Sequence, residues 1–191
     1  DLMEVRIPEG SLLKPLKPAA LSCRTHALGR IFDVLGGLLG QGNPAFMCAA
    51  GFSDSPHFMY SGYNRDGEWY QLYQIGFGGI PGKPFGDGPD GHSLWPSFTN
   101  VPNEFLESYF PLRIDIYETL PDSGGPGKNR GGNGLRIGYR FLEPGEISIH
   151  DDRWLTRPWG VLGGLPGGRS EKIRQRADGT EERLPSKCDN V

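Results

Sequence analysis

The sequence predicts a mainly β domain with one helix, its strands separated by Gly/Pro-rich segments. Three observations carry that class. Apolar and polar residues alternate with period two in several short runs, the mark of strands with one buried face. A single window shows helical spacing. The 191 residues include 30 Gly and 17 Pro, about a quarter of the chain, a level often seen in low-complexity sequence. Yet 10 Phe, 7 Tyr, 4 Trp and a 36% hydrophobic fraction supply enough apolar surface for a folded domain rather than a disordered one.

In chain order, Val5–Pro18 reads as an extended lead-in with three prolines. From Ala20 to Leu39 the apolar positions Leu21, Leu28, Ile31, Phe32, Leu35, Leu38 and Leu39 approach a 3.6-residue period. This predicts an amphipathic helix over residues 20–40, preceded by Pro18 and ended by Gly36-Gly37 and Gly40. A β and Gly/Pro-rich region covers 58–191. Arg65-Asp66-Gly67-Glu68 reads as a hairpin turn before the aromatic run Trp69–Phe77. Leu112, Ile114 and Ile116 alternate with Arg113, Asp115 and Tyr117; Leu135, Ile137, Tyr139 and Phe141 alternate with Arg136, Gly138 and Arg140. Ile147 and Ile149 oppose Glu146, Ser148 and His150 by strand parity. Ala177-Asp178-Gly179-Thr180 marks a second hairpin, between Ile173 and Leu184. Glu104 and Glu107 share a face if a short helical turn follows Pro102. Four Gly/Pro-rich segments, around 36–44, 76–91, 121–134 and 158–168, alternate with these elements. Glycine permits close backbone approach and proline pre-sets polyproline-II angles, so a packed bundle of extended segments held by backbone contacts is expected.

Composition excludes several functions. The net charge of −3 argues against a general nucleic-acid binder, and no apolar stretch is long enough for a membrane span. Three cysteines, Cys23, Cys48 and Cys188, with no CxxC pair, read as reduced thiols of a cytoplasmic protein. The start at Asp1 is read as a fragment or a processed chain.

Several motifs imitate known sites and fail on context. Gly86-Asp87-Gly88-Pro89-Asp90-Gly91 fits G-x-G-x-x-G, but His92-Ser93-Leu94-Trp95-Pro96 opens no helix for a pyrophosphate. Gly82-Lys83 and Gly127-Lys128 lack the first glycine of a phosphate loop, having Phe77 and Asp122 there, and neither Lys is followed by Ser or Thr. Asp122-Ser123-Gly124-Gly125-Pro126 imitates a serine-protease nucleophile segment, yet no histidine stands in the matching context. Of the histidines, His26 and His57 read as surface or loop residues. His92 beside Asp87 and Asp90, and His150 beside Asp151-Asp152-Arg153, are candidate bases. No two are spaced as paired metal ligands on one element.

Taken in order, a longer set of motifs resembles a known family. It comprises Gly78-Gly79-Ile80-Pro81-Gly82-Lys83-Pro84; Asp87-Gly88-Pro89-Asp90-Gly91; Thr99-Asn100-Val101-Pro102-Asn103-Glu104 with Glu107; and Tyr109-Phe110-Pro111-Leu112-Arg113. Pro121–Gly127, Arg130-Gly131-Gly132, Gly134, Pro158-Trp159-Gly160 and Gly163-Gly164 complete it. Each motif alone is weak, and the ordered set is specific. It resembles the C-terminal part of the hydantoinase B family, which includes part of 5-oxoprolinase and the large subunits of acetone and acetophenone carboxylases. The likeness runs from about Val5 to the end. The chain then reads as a single domain, or a C-terminal fragment of a larger hydantoinase B-like protein.

The resemblance implies barrel-like β-sheets running into polyproline-II-like segments. It implies a hetero-oligomeric, ATP-dependent enzyme that opens a cyclic amide (a hydantoin, 5-oxoproline) or carboxylates a ketone. ATP would be bound by a hydantoinase A-like partner subunit. A divalent metal is compatible with the family, its ligands in an N-terminal region outside this likeness, so none is assigned here. Gly91–Phe98 leans toward the ketone carboxylase type. For a phosphorylated intermediate, the donors expected are Arg113, Arg130, Arg153 and the backbone of Ser123, Gly124 and Gly125 through Gly127. His150 or His92 would transfer a proton, oriented by Asp151 or Asp90. The competing expectation is a non-catalytic assembly scaffold, with Trp69, Trp95, Trp154 or Trp159 anchoring interfaces.

Overall fold

The computed structural model describes residues 4–95 and 98–191. Two helices and eight strands follow one another: α1 (Arg24–Gly42), β1 (His57–Tyr63), β2 (Trp69–Ile75), α2 (Asn103–Tyr109), β3 (Leu112–Thr119), β4 (Leu135–Phe141), β5 (Gly145–His150), β6 (Ile173–Gln175), β7 (Glu181–Arg183) and β8 (Lys187–Cys188). A 3₁₀ turn, Pro44–Phe46, follows α1. The strands form one antiparallel sheet in the order β2-β1-β5-β8 and two separate pairs, β3-β4 and β6-β7. The fold is therefore mainly sheet, as expected. It has two helices rather than one, and no closed barrel among the described residues. With the strands divided among three sheets, no continuous ladder is left to close on itself.

Each hairpin is built by its turn residues. Asn64 Oδ1 accepts the amides of Asp66 and Glu68 at 3.0 and 2.8 Å, and Gly67 takes φ +79° between them. Asp178 Oδ1 accepts the Thr180 amide in the same way, across Gly179. The first five residues of β2 alternate: Tyr70 and Leu72 are buried while Trp69, Gln71 and Tyr73 are exposed. The core lies where this sheet meets α2 and β3-β4. Tyr60, Tyr70, Leu72, Leu106 and Leu112 are buried there, with Phe58, Val101, Phe110, Ile114, Tyr139 and Ile147 packed around them. Phe58 and Tyr139 stack with centroids 4.4 Å apart, and burial raises the Tyr139 phenol above its ordinary pKa.

The pairing register of β3 is interrupted. A bulge between Ile114 and Ile116 leaves Asp115 without a register partner. Arg113 and Arg140 stand directly opposite each other in this pair, an unfavourable like-charge arrangement. The carboxylate of Asp115 answers both, accepting from each at 2.6 Å.

Helix α1 departs furthest from expectation. It starts at Arg24, four residues after Ala20, and runs through its glycines to Gly42. Mid-helix glycine costs about 1 kcal/mol, but here it allows contact. A Cβ at Gly29 would strike the Ser53 carbonyl, and one at Gly40 would strike Met47. The buried positions of α1 are His26, Gly29, Asp33 and Gly40. Its apolar stripe, including Phe32, Leu35, Leu38 and Leu39, faces outward, with Leu38 56% exposed.

The Gly/Pro segments pack backbone to backbone. Gly78 and His92 exchange two hydrogen bonds, Ile80 donates to Pro89, Gly132 to Ile80, Gly88 to Arg130, and Gly168 to Ser123.

Candidate functional site

Four elements converge at one end of the four-stranded sheet. His57 opens β1 and His150 closes β5, and the two are register partners. Both therefore project from the same face. Cys23 lies immediately before α1, in the left-handed region at φ 56°. Its Sγ is 3.2 Å from His150 Nδ1. The other ring nitrogen, Nε2, is 2.7 Å from Asp189 Oδ1. Asp189 is set there by β8, whose Lys187 pairs with His150 and whose Cys188 pairs with Ile149. The donor atoms of Cys23, His57 and His150 all lie within 4.8 Å of one another. That is the one group of three or more metal-capable side chains found among the described residues.

The surroundings are polar and partly dry. The His26 ring meets His57 edge-on, with centroids 4.9 Å apart, and the Tyr73 ring centroid is 5.3 Å from that of His57. His26 and Asp54 are both buried and in direct contact through Nδ1 and a carboxylate oxygen. Desolvation, then the neighbouring His26, lowers the pKa of His57 below its ordinary value. His57 is thus neutral near pH 7 and its nitrogen lone pair is available.

A second group of polar side chains forms a buried charge network. Arg153 is 4% exposed and Asp33 6%. Arg153 pairs with Asp33 and donates to the Gly51 carbonyl at 2.9 Å. Arg30 joins from α1, reaching Asp33 at 3.2 Å, the Phe52 carbonyl at 2.6 Å and Asp152 at 2.8 Å. Ser53 also donates to Asp33. Burial, then Arg30, lowers the Arg153 pKa from its ordinary value. The Arg153 guanidinium also sits over Trp159, 5.5 Å from the ring centroid.

The residues anticipated from sequence distribute over several places. His150 is in the cluster, but its carboxylate is Asp189. Asp151 instead binds Lys172 at 2.7 Å and the Trp154 indole at 2.8 Å. The His92 backbone bridges Gly78, and its ring Nδ1 lies 2.8 Å from the Ser93 carbonyl. Asp90 holds Arg130 through two bonds, 2.7 and 3.2 Å, and accepts the Asn133 amide. Arg113 faces Asp115. Ser123 Oγ accepts from Gly134 and donates to Leu120, Gly124 donates to Asn133, and the Gly125 carbonyl accepts from Gly131. One concavity of about 2040 Å³ takes in Ser123, Gly124, Gly125, Asp151, Arg153 and His57; Asp90, His92, Arg113, Arg130, His150 and Cys23 are not among its lining residues. Of the Gly91–Phe98 stretch, Pro96 and Ser97 lie outside the described residues.

Cys23, His57 and Asp189 are not candidates on sequence alone. His57 reads in sequence as a surface or loop histidine, and His26, which reads the same way, is buried. The only sequence signal is strand parity, which places His150 on the polar face of its strand. Which strand pairs with it, and in what register, is a long-range fact.

Comparison with known proteins fits this architecture. The chain is 31% identical over 191 residues to a putative D-/L-hydantoinase of Pseudomonas sp., in its B component, covering 98% of this chain and 32% of that protein. It is 28% identical to the 5-oxoprolinase PfmaA of Pestalotiopsis fici, covering 94% of this chain and 14% of that one. It thus spans a third or less of these relatives. Among solved structures, the ATP-dependent caprolactamase of Pseudomonas jessenii shares the fold at a TM-score of 0.80 and 21% identity, over 98% of this chain and 34% of that one. A nucleotide-free acetone carboxylase matches at 0.59 and 20% identity, over 71% of this chain and 18% of that one. The family described as Hydantoinase B/oxoprolinase matches residues 1–191; the ordered motifs, the fold and this match agree that the chain belongs to the hydantoinase B/oxoprolinase family.

Proposed function

We propose that the chain forms part of an ATP-dependent enzyme complex that opens a cyclic amide, such as a hydantoin, 5-oxoproline or a lactam, with ketone carboxylation as the second reading. ATP is bound by a hydantoinase A-like partner subunit, and the part of the reaction supported by this chain lies at the Cys23–His57–His150 cluster. The observation that carries this is family membership over the whole chain, joined to a histidine pair held across β1 and β5. His150 is the residue on which turnover depends. Asp189 holds its ring through Nε2, and Nδ1 faces the Cys23 thiol. Asp151 and Arg153 are committed to Lys172 and Asp33, so they stabilise the fold around the site.

A non-catalytic scaffold role draws on a different observation. Arg113, Arg130 and Arg153 each have a carboxylate partner, so their charge is spent inside the fold. The outward apolar stripe of α1 also supports assembly. We assign it to contact with the portion of a full-length protein corresponding to the other two thirds of the relatives.

The test is ATP hydrolysis by the copurified complex with a hydantoin, 5-oxoproline or caprolactam offered in turn, and separately with acetone plus bicarbonate. ADP release coupled to ring opening supports the first reading, and coupling to bicarbonate fixation supports the second. No stimulation by either class leaves the scaffold.

A further inference from the structure

We propose that Cys23, His57 and His150 form a binding site for one divalent cation of the zinc type. The geometry is near what such an ion needs. With metal–sulfur bonds of about 2.3 Å and metal–nitrogen bonds of about 2.0–2.1 Å, tetrahedral ligands stand roughly 3.3–3.6 Å apart. Here one sulfur–nitrogen distance is 3.2 Å, and all three atoms lie within 4.8 Å. Small side-chain rotations close the difference. The donor set of one thiolate and two imidazoles is soft to borderline, which selects zinc or cobalt over magnesium or calcium.

Two further features belong to a ligand set rather than to a plain hydrogen bond. Asp189 binds His150 on the nitrogen remote from the cluster. That is the outer carboxylate which fixes a ligand histidine's tautomer and aims its free lone pair. Cys23 is held at φ 56°, a strained conformation for a residue with a side chain. Three protein ligands leave a fourth position open for water or a substrate oxygen. Cys23, His57 and His150 are each only partly buried, so that position is reachable. With the cation in place His150 is a ligand, and the dependence of turnover on it arises through the ion.

The test uses the full chain, reduced, stripped with chelator and titrated with cobalt(II). One equivalent should bind with a thiolate-to-cobalt charge-transfer band in the near ultraviolet and visible bands of a four-coordinate ion. Zinc should displace it. Cys23→Ser should abolish the charge-transfer band. Asp189→Asn, at an exposed position whose change leaves the packing intact, should weaken binding about 10–100-fold. Circular dichroism of each variant separates lost ligation from lost fold. Absence of the thiolate band in the parent, its persistence in Cys23→Ser, or unchanged affinity in Asp189→Asn would overturn the proposal. The titration measures no turnover, so its failure and the failure of the ATP-dependent reading are separable.

Discussion

At Gly132 the chain has room for a hydrogen and nothing larger. A Cβ there would collide with the Pro89 carbonyl and crowd the Ile80 amide, so Gly132→Ala should cost about 1–3 kcal/mol, the usual range for overpacking, read by denaturant unfolding. Arg153 makes the opposite case, a charge that cannot be left alone. Its removal strands Asp33 in a dry site, so Arg153→Leu should destabilise by about 3–5 kcal/mol, with Arg30 softening the loss. At the surface, Arg130 and the Asn133 amide hold the Asp90 carboxyl below its ordinary pKa. A carboxyl lowered in the folded state stabilises above its unfolded value of about 3.9 and loses that contribution as pH falls toward the folded value. Asp90→Asn should therefore flatten the acid limb of the stability profile below about pH 5 and leave the slope near neutrality unchanged. Little of this is legible residue by residue. In sequence Asp90 reads as an orienting group for His92, whereas its partner is Arg130, on a different Gly/Pro segment. Local sequence does not state which loop lies under which.

At the scale of elements, the strands are readable and the helix only half so. Period-two alternation locates β3, β4 and β5 almost to the residue, because one buried face leaves a local mark. The bulge at Asp115 leaves none, since it answers a cross-strand arginine pair. In α1 the spacing announces a helix, and an apolar stripe on an amphipathic helix ordinarily points inward. The helix instead buries its glycines, and Gly29 and Gly40 set the distance of approach. Leu35→Glu with Leu38→Glu should thus leave the chain's own unfolding midpoint nearly unchanged, as for surface changes, while lowering the recovered mass of the assembly by native mass spectrometry. A drop in the isolated chain's midpoint would instead place that stripe in its core.

At the scale of the whole molecule, three sheets, two helices and a backbone-bonded Gly/Pro framework bring together residues from both ends of the chain. Cys23 and Asp189 meet on His150 across separations of 127 and 39 residues. Ordered motifs reveal the family because glycine and proline positions are dictated by backbone packing. The cluster stays hidden because its members share no local pattern. Among the described residues no helix is long and apolar enough to cross a membrane. If the cluster serves the chemistry of an ATP-dependent complex, as proposed, turnover depends on His150. The most direct measurement is ATP-dependent turnover of a cyclic amide by the complete complex carrying His150→Ala, with its native mass recorded alongside. A fall of about 100-fold or more, the scale of a lost acid–base or metal-activating group, at unchanged mass is the result predicted. Undiminished turnover at unchanged mass would contradict it.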